Sequence, residues 1–114
     1  MSAITTHVLD LSTGVPARGV AVRLEVLRDA VGWVALAERA TDGDGRVKDF
    51  IDEGARLDAG TYRLTFLTGA YFERAGAPAF HPEVAVVFRV QTAGGHFHVP
   101  LLVSPFGYTT YRGS

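Results

Sequence analysis

Cysteine is absent from all 114 residues. That one absence excludes a disulfide framework, a thiolate zinc site and a thiol nucleophile. A surplus of charge is missing as well: 11 basic residues stand against 12 acidic ones, for a formal net charge of −1. A chain so balanced does not bind nucleic acid or an anionic membrane by bulk charge. No apolar run approaches the ~18 residues of a membrane-spanning helix. The opening Met1-Ser2-Ala3-Ile4-Thr5-Thr6-His7 has neither a basic segment nor a long apolar one, so no secretory signal is expected. The ending Tyr111-Arg112-Gly113-Ser114 is not a peroxisomal tripeptide. The expected compartment is the cytoplasm, with no nucleic-acid or membrane partner. Repeats, linkers and low-complexity tracts are also lacking, so a single domain is expected over residues 1–114.

What the chain does contain is alternation. With 47% hydrophobic residues it can build a core, and the apolar positions recur at period two. Val20, Val22, Leu24 and Val26 alternate with Arg23 and Glu25; Tyr62, Leu64 and Phe66 alternate with Arg63 and Thr65. Val84, Val86, Phe88 and Val90 form a third such set. Each reads as a strand with one face in the core. Ile4 to Leu11, Trp33 to Arg39, Phe97 to Val103 and a short final segment, Tyr108 to Arg112, read the same way. Turn residues punctuate them: Ser12-Thr13-Gly14, then Asp42-Gly43-Asp44-Gly45, and Gly94-Gly95, which predicts a hairpin between the strands on either side. Only Tyr71 to Ala75 reads as helical. Short strands at close spacing with one brief helix predict an all-β sandwich or barrel.

Four histidines carry most of the chemical interest: His7, His81, His96 and His98. A lone histidine in a strand is more often structural than catalytic, and His81, at the start of a strand, is read as structural. His96 and His98 are two apart and so project from one face, opposite Phe97, Val99, Leu101 and Val103. His7 lies with Leu9 on one face of the first strand while Val8 takes the other. If these strands meet, His7 and His98 converge, and two imidazoles are good parts for moving a proton to or from water. His7, His96 and His98 could also give zinc three nitrogen ligands. That pattern is short and recurs by chance, and no carboxylate is placed as its base, so the expectation is no metal and no cofactor. Arg46, straight after the Asp-Gly turn, is either a solvated turn residue or a forked donor for a planar, carbonyl-rich ligand. Ser114 lacks the Gly-x-Ser-x-Gly context of a hydrolase nucleophile. The end of the chain, Tyr108 to Ser114, is dense in hydrogen-bonding groups that could shape a polar pocket.

Several blocks together carry a resemblance: Thr6-His7-Val8-Leu9-Asp10, Asp42-Gly43-Asp44-Gly45-Arg46, Phe80-His81-Pro82-Glu83-Val84, the run from His96 to Pro105, and Tyr111-Arg112-Gly113-Ser114. Over nearly its whole length the chain resembles the transthyretin-related family, in its enzymatic branch of 5-hydroxyisourate hydrolases. The hormone-binding branch has a lysine, a glutamate and a threonine at the positions of His7, Arg46 and His98, and lacks the Tyr-Arg-Gly-Ser ending. The resemblance implies a transthyretin-like sandwich of eight strands in two sheets with one short helix. It implies a homotetramer, a dimer of dimers joined first edge to edge and then face to face around a channel. By period-two parity, His7, Leu9, His98, Pro100, Leu102, Thr109 and Tyr111 would line the channel face. It further implies hydrolysis of a small purine-derived substrate, with His7, Arg46 and His98 catalytic. Substrate would be bound by His7, Arg46, Tyr111, Arg112, Gly113 and Ser114. The competing expectation is a non-enzymatic carrier of a small aromatic ligand.

Overall fold

The computed structural model describes residues 3–114. Along the chain run β1 (Ile4–Asp10), β2 (Val15–Pro16), β3 (Ala21–Arg28), β4 (Gly32–Ala40), β5 (Arg46–Val47), β6 (Gly60–Phe66), the helix α1 (Thr68–Arg74), β7 (Val84–Val90), β8 (Phe97–Ser104) and β9 (Gly107–Thr110). They form two sheets, one ordered β2-β1-β8-β9 with β5 also paired to β1, the other ordered β4-β3-β6-β7. This is the all-β sandwich that the alternation predicts.

The inward residues of the two sheets make one core. Ile4, Val8, Val99, Leu101 and Val103 of the first sheet face Val22, Leu24, Val26, Leu64 and Phe66 of the second, all buried. Each such side chain contributes roughly 1.5–3 kcal/mol by leaving water. α1 carries no side-chain cap and no acidic first turn, so its packing holds it. Phe72 is buried, Tyr71 Oη donates to Asp10 Oδ2 at 2.8 Å, and Arg74 Nη2 donates to the Gly19 carbonyl at 2.7 Å. Burial works to raise the Asp10 pKa, but hydrogen bonds from Ser12 and Tyr71 outweigh it and leave the group below its ordinary value. The Tyr71 phenol, buried against that carboxylate, is pushed up to about 12.

Four local expectations are corrected. Gly94-Gly95 does not close a hairpin: β7 pairs with β6, whereas β8 pairs with β1 and β9. Residues 91–96 carry the chain from one sheet to the other, a span of about 10 Å in a sandwich, and the Gly94 amide is tied to the Leu57 carbonyl instead. Arg46 is not in a turn but begins β5, so the described residues hold nine strands rather than eight, two of them only two residues long. α1 starts at Thr68, earlier than its sequence pattern shows, and β9 ends at Thr110, before Tyr111 and Arg112. Among the described residues no helix is long and apolar enough to cross a membrane.

β1 and β8 are parallel neighbours, and their register positions the chemistry. Thr5 lies opposite His98, His7 opposite Pro100, and Leu9 opposite Leu102. Opposed residues share a face, and here it is the face turned away from the core.

Candidate active site

Arg46 reaches this outward face through its turn. Asp42 Oδ1 accepts from the Asp44 and Arg46 amides, both at 2.9 Å, while the Asp42 amide donates to the Arg46 carbonyl at 2.9 Å. The hydrogen bond from the Arg46 amide is the main reason that the Asp42 carboxyl lies below its ordinary pKa. Gly45, at φ +76°, passes so close to β1 that an added Cβ would run into the Val8 carbonyl. The Val8 amide donates to the Gly45 carbonyl at 2.7 Å. The result is that β5 lies antiparallel to β1 with Arg46 opposite His7.

A cleft of about 160 Å³ opens here, lined by Thr5, Thr6, Arg46, Lys48, His96, His98 and Ser114. His98 is its centre. The Thr5 hydroxyl lies 2.8 Å from His98 Nδ1 and 3.2 Å from His96 Nε2, so it bridges the two rings. Thr5 is 4% exposed, His98 is half-buried and His96 is exposed. Burial first, and then the Arg46 guanidinium, His96 and His7, hold the His98 pKa below the ordinary imidazole value. At neutral pH His98 is therefore uncharged and able to accept a proton. Arg46 beside it is a fixed cation, suited to an anion or to an oxygen gaining negative charge.

The end of the chain closes one wall. The Gly113 amide donates to the His98 carbonyl at 2.8 Å. A Cβ on Gly113 would meet His98 Cδ2 at 2.6 Å and Pro100 Cγ at 3.2 Å. Only glycine lets the chain lie this close to the ring, and this approach brings Ser114 into the cleft.

Of the residues that the sequence singles out, the cleft gathers Arg46, His96, His98 and Ser114, with Gly113 against the His98 ring. His7 is set beside it by register, opposite Arg46 and Pro100. Tyr111 and Arg112 lie elsewhere. With Val86, Phe88, Phe97 and Val99 they line a second groove, where the sandwich opens between the edge strands β7 and β9. Arg112 Cζ sits 4.6 Å over the Phe97 ring, which draws the chain to that side. His7, His96 and His98 do not gather as a three-nitrogen metal site, and among the described residues no cluster of that kind exists. His81 packs edge-on against Phe80 and Tyr108. Sequence reasoning missed Thr5 and Lys48. Thr5 could have been found, because it stands two residues before His7 and so shares its face.

Comparison with known proteins places this geometry. The model of the HIUase/Transthyretin family matches residues 4–113. The 5-hydroxyisourate hydrolase of Caulobacter vibrioides is 47% identical over 118 aligned positions that cover all of both chains. The solved structure of Klebsiella pneumoniae 5-hydroxyisourate hydrolase superposes with a TM-score of 0.86 at 42% identity, covering 100% of both chains. Transthyretin from Sparus aurata superposes with a TM-score of 0.91 at 34% identity, covering 99% of this chain and 97% of its own.

Proposed function

This chain belongs to the HIUase/Transthyretin family, and from that premise we propose that it hydrolyses 5-hydroxyisourate in urate degradation. Water opens the six-membered ring at an amide bond, giving 2-oxo-4-hydroxy-4-carboxy-5-ureidoimidazoline. Backbone likeness does not separate hydrolase from transthyretin, since both superpose well. The observation that carries the reading is the cleft that brings His98, its Nδ1 2.8 Å from the Thr5 hydroxyl, together with the Arg46 guanidinium.

Amide hydrolysis needs an activated water, a stabilised oxyanion and a protonated leaving nitrogen. His98, with Nδ1 engaged by Thr5, has Nε2 left to take the proton from water. His7, on the neighbouring strand, helps to hold that water. Arg46 orients the planar substrate and meets the oxyanion. His98 then gives that Nε2 proton to the leaving nitrogen. Ser114 and the backbone at Gly113 shape the wall on the His98 side, whereas Tyr111 and Arg112, in the second groove, are left out of the substrate-binding set. Neither metal nor cofactor takes part: Arg46 and Lys48 beside the imidazoles would repel a divalent cation. Dialysis against a strong chelator leaves turnover unchanged on this reading; a loss restored by zinc alone would reverse it.

The reading extends to a homotetramer built as a dimer of dimers. β7 and β9 are edge strands flanking an apolar groove, which suits edge-to-edge pairing. The outward face of β1 and β8 carries Leu9 and Leu102 among its histidines, which suits stacking of a second dimer over it. The test of the activity is direct. Freshly made 5-hydroxyisourate is followed by ultraviolet absorbance with and without the protein. Accelerated decay is expected; decay at the spontaneous rate would favour the carrier of an aromatic ligand.

A further inference from the structure

The proposed hydrolysis gives no proton-transfer step to Thr5 or His96, both of which line the cleft. Their arrangement is specific. The Thr5 hydroxyl is buried and stands between the facing nitrogens of two imidazoles, at 2.8 Å from His98 Nδ1 and 3.2 Å from His96 Nε2. A hydroxyl has one proton to donate. If it donates to one ring, it accepts from the other, so the three groups form a chain with only two polarities.

We propose that Thr5 is a positioning residue that sets which nitrogen of His98 faces the substrate unprotonated, and that Thr5 and His96 form a relay that draws the Nδ1 proton of His98 toward the solvent side while Nε2 holds the proton taken from water. This rests on the hydrolytic reading above. In the resting polarity His98 Nδ1–H donates to Thr5 Oγ1, and the Thr5 hydroxyl donates to His96 Nε2. His98 Nε2 then holds a lone pair toward the cleft. When Nε2 takes a proton from water, an O–H bond breaks, an N–H bond forms, and the hydroxide attacks the substrate carbonyl carbon. The Nδ1 proton passes to Thr5 as the Thr5 proton passes to His96 Nε2. His98 is again neutral, now with Nε2–H, and His96 is the imidazolium. Donation of the Nε2 proton to the leaving nitrogen runs the chain backwards, so each turnover ends as it began.

Electrostatics favours this export. His98 is faced by His7 from β1, by Arg46 from β5, by Lys48 just after it and by His96 from the preceding loop, and no aspartate or glutamate lines the cleft. A positive charge held on His98 is poorly placed. His96 is exposed, where water solvates the same charge at lower cost.

Two readouts test the inference. In nitrogen-15 NMR of the ring nitrogens near neutral pH, wild type and Thr5→Ser should show an unprotonated His98 Nε2. Thr5→Val, which keeps the shape and loses the hydroxyl, should shift His98 toward the Nε2–H tautomer. In turnover of 5-hydroxyisourate, Thr5→Val should lower kcat by about tenfold or more with KM little changed, within the range for impaired proton transfer. Thr5→Ser should recover most of that rate. His96→Ala, at an exposed position, should also lower kcat at unchanged KM, and the solvent-isotope proton inventory should change from bowed in wild type to linear. A wild-type His98 protonated at Nε2, or Thr5→Val with unaltered kcat and ring-nitrogen pattern, would overturn the relay. The NMR result does not need turnover, so absence of hydrolase activity in wild type would overturn the function and leave the relay separately decided.

Discussion

The two outward faces of the sandwich obey the same alternation and reach opposite ends. On the β3–β6 face, Glu25 Oε1 accepts from Arg63 Nε and Nη2, each at 2.9 Å, and Arg63 Cζ stacks 4.2 Å over Trp33. Arg23 and Glu38 form a looser pair at 3.8 Å. Acids and bases there answer one another. On the β1–β8 face, the cleft holds Arg46, Lys48, His96 and His98 with no aspartate or glutamate in its lining. The first arrangement is complete in itself. The second concentrates positive potential that only a ligand can complete, which is what a reaction passing through an oxyanion requires.

The contrast can be broken most severely by giving the second face the character of the first. Leu102→Arg places a charge on the outward side of β8. It should split the proposed tetramer into dimers and lower turnover by at least about a hundredfold through a displaced site wall, with each subunit still folded. Sedimentation and the absorbance assay check this; a fully active dimer would show that stacking is not needed. Next in size is His98→Asn, which should lower kcat/KM by roughly two to four orders of magnitude while the melting curve stays in place. Arg46→Lys keeps the charge and loses the planar fork, and should cost about ten- to a hundredfold in kcat/KM, the worth of a charged hydrogen bond.

Smaller effects sharpen the comparison. Because the His98 pKa is lowered by burial and by Arg46, His96 and His7, the acid limb of kcat/KM should fall below the free-imidazole value of about 6.5. The sign for stability follows. Between the lowered value and about 6.5 the unfolded chain binds more protons than the folded one, so stability should rise with pH across that window. pH-dependent denaturant melts check it. On the other face, Arg63→Met leaves the Glu25 carboxylate, 7% exposed, with only a 3.5 Å contact from Thr65. It should cost about 1–3 kcal/mol of stability and leave turnover unchanged. Equal loss of activity would mean that the two faces are coupled.

Much of this was legible in the sequence because a side-chain period of two is a local property. It placed Val8, Val99 and Leu101 inward, and His7 and His98 outward, before any strand had a neighbour. What was not legible depends on which strands become neighbours. Gly94-Gly95 looks like a hairpin because local chemistry says "turn" without saying which sheet the chain enters next. Arg46 looks like a turn residue because the two-residue strand holding it exists only by pairing with β1. Tyr111 leaves its expected face for the second groove, where Arg112 beside it sits over the Phe97 ring, distant in sequence. Thr5 was overlooked for a different reason. Its parity with His7 was visible, but a buried threonine carries no chemical signature until two imidazoles are seen on either side of it.

The parallel pairing of β1 with β8 also has a consequence in time. Thr5 and His98, which touch, are separated by 93 positions along the chain. Closing so long a loop precedes any gain from the contacts that it brings together, and topologies dominated by such contacts fold slowly. The β3–β4 ribbon and its pairing with β6 can assemble from nearer segments, yet they carry none of the cleft. Catalytic competence should therefore arrive with the last cooperative step of folding, not before it. In hydrogen exchange, the backbone amides joining β1 to β8 should open only with the whole molecule, and recovery of turnover after dilution from denaturant should track that event rather than the earlier rise of strand signal.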